Sequence, residues 1–280
     1  MAETEEDVGG IAPGEAAEGT INVAGPRRAP LGEPLVEYLL RLGDDRLILG
    51  HRLSEWTGHG PILEEDIATA NLALDLIGQA AQILKLAGVE EGQGRDEDAL
   101  AYFRDGPRYR NCLLVEQPRG DFGDTMLRQF FFDAHSVLLW ETLASCGHEG
   151  LAAIASKAVK EDKYHLRHSS EWVVRLGDGT EESHARTQRS LDAFWRFTGE
   201  LFDRDEVDDA VAAQGIRVDT EAIQARWQAL VDDVLGRATL TLPADVVMQR
   251  GGRRGRHTEH LGHLLSAMQS VARAHPGASW

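Results

Sequence analysis

One stretch constrains the fold more than any other. Between Ile62 and Leu86 the chain runs 25 residues without a proline, and Leu63, Ile67, Ala70, Leu74, Ile77, Ala81 and Leu84 repeat at the i, i+3/i+4 interval of a single helical face. A helix of that length spans about 38 Å at 1.5 Å per residue, which suits a long bundle better than a small globular fold. A second helical run precedes it from Leu35 to Trp56, and Gly58, Gly60 and Pro61 separate the two. Glycines and prolines then interrupt residues 88–120, which read as a long connection carrying one or two short helices. Another long pair follows. Phe122, Met126, Phe130, Val137 and Trp140 form a stripe in 121–145, and Ile154, Ala158, His165 and Trp172 form one in 151–176. The short link Cys146–Gly150 makes these two antiparallel neighbours. Further helices are predicted at 181–202, 203–214, 219–237 and 258–274, and no segment keeps a period of two. Two long hairpins joined by one long crossover describe an all-α, ferritin-like four-helix bundle with additional C-terminal helices.

The chain has 280 residues and a net charge of −17, from 46 acids and 29 bases. Such a field works against nucleic-acid and anionic-membrane partners. Seven acids against Arg27 and Arg28 mark residues 1–33, which hold few large apolar side chains. They are predicted to form a disordered acidic tail ahead of one helical domain over residues 34–280. The two cysteines, Cys112 and Cys146, support neither a disulfide framework nor a cysteine zinc cage, and read as packing residues. The acidic start has no apolar core and no apolar run approaches the ~20 residues of a membrane span, so the expected location is cytoplasmic.

Ferritin-like bundles often hold two irons between a Glu on each of two helices and a Glu-x-x-His pair on each of the others. Asp44, Asp133, Asp162 and His165 fall on apolar stripes of three of the four long helices here, so all four are predicted to point inward. The remaining helix has no histidine, and Leu76 and Gln79 stand where its ligand pair would fall. Half a site is left. It reads as a buried polar network in a bundle without metal, the alternative being an independent di-iron oxygenase or oxidase. His257, His260 and His263 lack zinc-protease spacing and read as surface or capping residues. The loop Arg250-Gly-Gly-Arg253-Arg254-Gly-Arg256 resembles a phosphate cradle without the ending of a P-loop. It is either a docking loop for a partner or an ordinary solvated loop.

Several blocks in order carry a family resemblance: Arg41-Leu-Gly-Asp-Asp-Arg-Leu-Ile-Leu-Gly-His-Arg-Leu-Ser-Glu-Trp56, Asn71-Leu-Ala-Leu-Asp-Leu-Ile-Gly-Gln-Ala80 and Leu113-Leu-Val-Glu-Gln-Pro118. Lys157-Ala-Val-Lys-Glu161, Tyr164-His-Leu-Arg167, Phe194-Trp-Arg-Phe-Thr-Gly-Glu-Leu-Phe-Asp203 and His257-Thr-Glu-His-Leu-Gly262 continue it. Over roughly residues 34–280 the chain resembles the C subunits of 1,2-phenylacetyl-CoA epoxidase. The resemblance implies a non-catalytic structural subunit with no cofactor of its own. A related A subunit would hold the di-iron site and most of the phenylacetyl-CoA. A small B subunit and a reductase with FAD and iron–sulfur would complete an NADPH- and O2-dependent monooxygenase that epoxidises the aromatic ring. The same resemblance suggests that the loop at 250–256 meets either the partner or a phosphate of CoA.

Overall fold

The computed structural model describes residues 34–278, so the predicted tail at 1–33 lies outside the described residues. Two helical hairpins form the bundle. The first pairs α1 (Pro34–Ser54) with α2 (Leu63–Glu91), and the second pairs α5 (Phe122–Leu143) with α6 (Glu149–Gly177). The crossover between them carries α3 (Glu97–Tyr102), a 3-10 turn at Gly106–Arg108 and α4 (Leu113–Glu116). After the bundle come α7 (Glu181–Phe194), a 3-10 segment (Trp195–Phe202), α8 (Glu206–Ala213), α9 (Thr220–Arg237), α10 (Glu259–Met268) and α11 (Ser270–Ala274). No strand occurs among the described residues, and the ferritin-like, all-α architecture predicted from the loop lengths is the one observed.

Local chemistry sets the helix ends. Asp121 and Asp124 form a reciprocal capping box at the start of α5, and Thr180 with Ser183 does the same for α7. Gly92, at φ 66°, closes α2 in the left-handed conformation that glycine adopts without strain. Gly43 and Gly50 let α1 and α2 approach closely. A Cβ at Gly43 would stand 2.8 Å from Leu84 Cδ2 and would displace that side chain, whereas one at Gly50 would stand 2.8 Å from Ile77 Cγ1 and 3.1 Å from the Ala73 carbonyl oxygen and would press on the backbone of α2.

The helices are not equivalent. Eighteen of the 21 residues of α1 are buried, as are eighteen of the 22 in α5. The helix α1 reaches this state because the crossover and the C-terminal segment cover the side that α2 leaves open. That side is charged, and each charge is met. Arg110 pairs with Glu37, Arg41 with Asp205, Arg104 with Asp44 and Arg253 with Asp45, while Arg52 donates to the carbonyls of Glu116 and His260. On the far side of the bundle Trp195, Trp227, Phe202 and Phe131 form an aromatic cluster that docks the later helices on α5. The Trp227 indole N–H donates to the Phe131 carbonyl at 3.0 Å.

In α2 the structure departs from the expected face. The predicted stripe has the right period, but Leu63, Ile67 and Leu74 on it face outward, whereas Leu72, Ala73, Leu76, Ala80, Ile83 and Ala87 fill the core. The helix is apolar on both sides, so periodicity alone could not choose the inner one.

Candidate functional site

At the centre of the bundle lies a guanidinium. Arg46 of α1 is 1% exposed, with its Cζ 4.1 Å from the centre of the Trp140 ring and 5.5 Å from that of Phe132. Its Nε donates to Gln79 Oε1 at 3.1 Å, Nη1 to the Leu42 carbonyl at 3.0 Å and Nη2 to Ser136 Oγ at 2.7 Å. The network then converges on Asp162. Ser136 Oγ donates to Asp162 Oδ2 at 2.5 Å and Gln79 Nε2 to Asp162 Oδ1 at 2.8 Å. Burial pulls the Arg46 pKa down, while Asp162 and Asp45 counter that pull. A guanidinium stays protonated in such a setting, so the bundle holds a fixed positive charge at its middle.

A turn further along, Asp133 accepts hydrogen bonds from Gln129 Nε2 at 2.7 Å and Ser169 Oγ at 2.8 Å. Burial pushes its carboxyl up to about 7, the nearby Asp162 adds to the rise, and His165 opposes it. His165 is buried, with Nδ1 3.6 Å from Asp162 Oδ1 and Nε2 3.1 Å from Asp75 Oδ2. Burial alone would lower its pKa, but the Asp75 hydrogen bond and the charges of Asp133 and Asp162 outweigh it and raise the pKa.

These residues do not fit a di-iron centre. The buried side chain of Leu76 offers no donor, the Gln79 amide is engaged by Arg46 and Asp162, and His165 turns toward Asp75. Among the described residues no group of three or more His, Cys, Asp or Glu side chains is placed to hold a metal ion. A resident cation beside Asp162 would also repel a second one at close range.

Of the four residues predicted to share the cluster, Asp133, Asp162 and His165 come together and Asp44 does not. Asp44 is fully buried but faces the crossover, where it pairs with Arg104 and accepts from the Arg110 backbone N–H at 2.7 Å. The cause is helical geometry: Asp44 and Arg46 are two residues apart, about 200° around α1, and so face opposite sides. Arg46 itself is not among the residues that the sequence singles out. Its signal is an arginine on the helical stripe of Leu42 and Leu49, four residues after the one and three before the other.

The Arg-rich loop is an internal strap. Backbone N–H groups of Gly251 and Arg253 donate to Glu200 Oε1 at 2.8 and 3.3 Å, so the chain's own carboxylate fills the cradle that a phosphate would take. Arg253 reaches inward to Asp45 with two hydrogen bonds of 2.9 and 2.8 Å. Arg250 pairs with Asp203. Arg254 and Arg256 remain exposed at the edge of a cleft of about 370 Å³. His257 is no surface histidine, because its Nδ1 lies 2.7 Å from Glu116 Oε2 and its Nε2 3.1 Å from the Tyr109 carbonyl. Cys112 is buried, with its thiol pKa raised by that burial, and Cys146 is half-buried.

Residues 27–280 match the family model described as phenylacetic acid catabolic protein. The chain is also 48% identical over 246 residues to the C subunit of 1,2-phenylacetyl-CoA epoxidase from Escherichia coli (strain K12), an alignment covering 88% of this chain and 99% of that protein. The ordered motifs, the helical bundle and these two matches agree: the chain belongs to the phenylacetic acid catabolic protein family.

Proposed function

We propose that this chain is the structural subunit of a multicomponent phenylacetyl-CoA epoxidase, pairing with and stabilising a di-iron A subunit while carrying no metal centre of its own. The observation that supports it best is Arg46, whose guanidinium occupies the bundle centre and is neutralised there by Asp162 through Ser136 and Gln79. A fixed cation does electrostatically what a metal would otherwise do for the buried carboxylate, and leaves the chain without redox chemistry of its own. The partner would hold the irons and most of the phenylacetyl-CoA. A small B subunit and a reductase with FAD and iron–sulfur would complete the assembly, in the cytoplasm. The similarity to a protein named as a subunit of an epoxidase supports this reading.

Co-expression tests it. The chain and the A subunit from the same genome should purify as one complex, and A should lose solubility or epoxidase activity when expressed alone. An A subunit equally soluble and active without this chain would contradict the proposal.

A further inference from the structure

We propose that the cleft between the 250–256 strap and residues 203–205 binds the phosphate group of a small phosphorylated molecule, with Arg254 and Arg256 as its charged ligands. This goes beyond the function proposed above and does not depend on it. Arg41, Arg204, Arg250, Arg253, Arg254 and Arg256 line the cleft, against the carboxylates Glu200, Asp203 and Asp205. Those carboxylates are already engaged. Asp203 pairs with Arg250 and Asp205 with Arg41, while the oxygens of Glu200 accept from the backbone N–H groups of Leu113, Gly251 and Arg253. Two further arginines are matched from outside the cleft, Arg253 by Asp45 and Arg204 by Asp209. Of the six, only Arg254 and Arg256 make no ion pair among the described residues. Two unpaired guanidinium groups at one edge match the two charges of a phosphate monoester, and each offers the forked donors that phosphate oxygens accept.

A buried donor in the lining also lacks an acceptor. The Arg41 side chain is 9% exposed, its Nη groups bind Asp205 and Asp208, and its Nε has no hydrogen-bond partner among the described residues. An N–H left in that state is costly, and an anion in the cleft would satisfy it directly or through one water. Arg41 also lines a cavity of about 60 Å³ behind the cleft, which has room for that water. The strap holds its arginines in place. A Cβ at Gly252 would run into the Asn111 carbonyl oxygen and one at Gly255 into that of Pro107, so the strap backbone lies flat on the crossover. With Arg253 locked to Asp45, Arg254 and Arg256 are presented from a fixed support, which lowers the ordering entropy that binding must overcome. The cleft volume of about 370 Å³ lies within the range of about 300–1,000 Å³ for small-molecule sites and exceeds what one phosphate fills. That favours a phosphate carried on a larger organic group. The net charge of −17 repels a polyanion and so limits the ligand to a small one.

Isothermal titration calorimetry on the full chain tests it, with adenosine 5′-monophosphate, inorganic phosphate and adenosine as probes at matched ionic strength. The monophosphate should saturate a single site per chain, and adenosine should not bind. Tighter binding of the monophosphate than of inorganic phosphate identifies an organic phosphate as the source, and equal binding identifies free phosphate; both uphold the site. The Arg254→Ala/Arg256→Ala variant should keep the wild-type melting curve and weaken binding at least about 30-fold, in line with the loss of two charge-assisted hydrogen bonds. The Lys85→Ala/Lys160→Ala variant removes the same charge from α2 and α6 and should bind as the wild type does. Equal losses in the two variants would reveal a diffuse field and overturn the proposal. So would adenosine binding as strongly as its monophosphate, undiminished binding in the arginine variant, or no binding of either phosphate up to about 10 mM, where even a weak site fills. Should the arginine variant fail to fold, protection of Arg254 and Arg256 from phenylglyoxal by the monophosphate on the wild-type chain gives the answer, and equal modification with and without it refutes the site.

Discussion

Arg46 and Asp162 form a charge pair relayed by Ser136 and Gln79 in a site with almost no solvent. Removing one member of such a pair strands the other, which costs about 3–5 kcal/mol, whereas replacing both with apolar groups costs much less. Arg46→Met should therefore destabilise the chain by about that amount in urea unfolding, and Arg46→Met/Asp162→Leu should recover part of the loss. Additive losses would show that the two groups are not coupled. Asp133 gives a pH signature. Its folded pKa is raised from 3.8 to about 7, so the folded state binds more protons than the unfolded one between those values, and its contribution to stability falls as pH rises through that window. The raised pKa of His165 acts in the same direction. Asp133→Asn should flatten the decline in melting temperature between pH 5 and pH 8 and leave the variant the more stable at pH 8; parallel curves would contradict the assignment. From the sequence Asp133, Asp162 and His165 were legible as inward residues, because each sits on an apolar stripe. Their partners were not, because Ser136, Ser169 and Gln129 are ordinary helix residues until the folded chain brings them together.

At the scale of elements, the strap of residues 250–256 separates arginines that look alike in sequence. Arg253 is tied to Asp45 on α1, and Asp45 also accepts from the Cys112 backbone N–H at 2.7 Å. Burial would lower the Arg253 pKa, but Asp45 outweighs it and raises the pKa, as expected of a locked ion pair. Arg253→Ala should cost about 3–5 kcal/mol in denaturant unfolding, and Arg254→Ala/Arg256→Ala should stay within about 0.5 kcal/mol. A raised KM for phenylacetyl-CoA in the assembled complex carrying the second pair, with assembly intact, would assign Arg254 and Arg256 to a CoA phosphate; an unchanged KM would remove that role. Equal stability effects of the two changes would contradict the strap. Helix existence and period were legible throughout, from the first hairpin to the later helices. The inner face of α2 was not, because apolar side chains occupy both sides, nor was the burial of the charged side of α1, which depends on the crossover and on residues some two hundred positions away.

For the molecule as a whole, the two inner helices α1 and α5 hold the bundle, and the outer pair α2 and α6 present its surface. The net charge of −17 conceals this arrangement, since much of the charge on α1 is neutralised internally and the lysines gather on the outer pair. On the function proposed here, a permanent internal cation stands in for the iron of other ferritin-like bundles, and the chain serves support rather than catalysis. Metal analysis of the chain, purified alone and as its complex with the A subunit after growth in iron-rich medium, tests that claim most directly. Iron is predicted only in the complex, in proportion to A. Two tightly bound irons per chain in the isolated protein would contradict it.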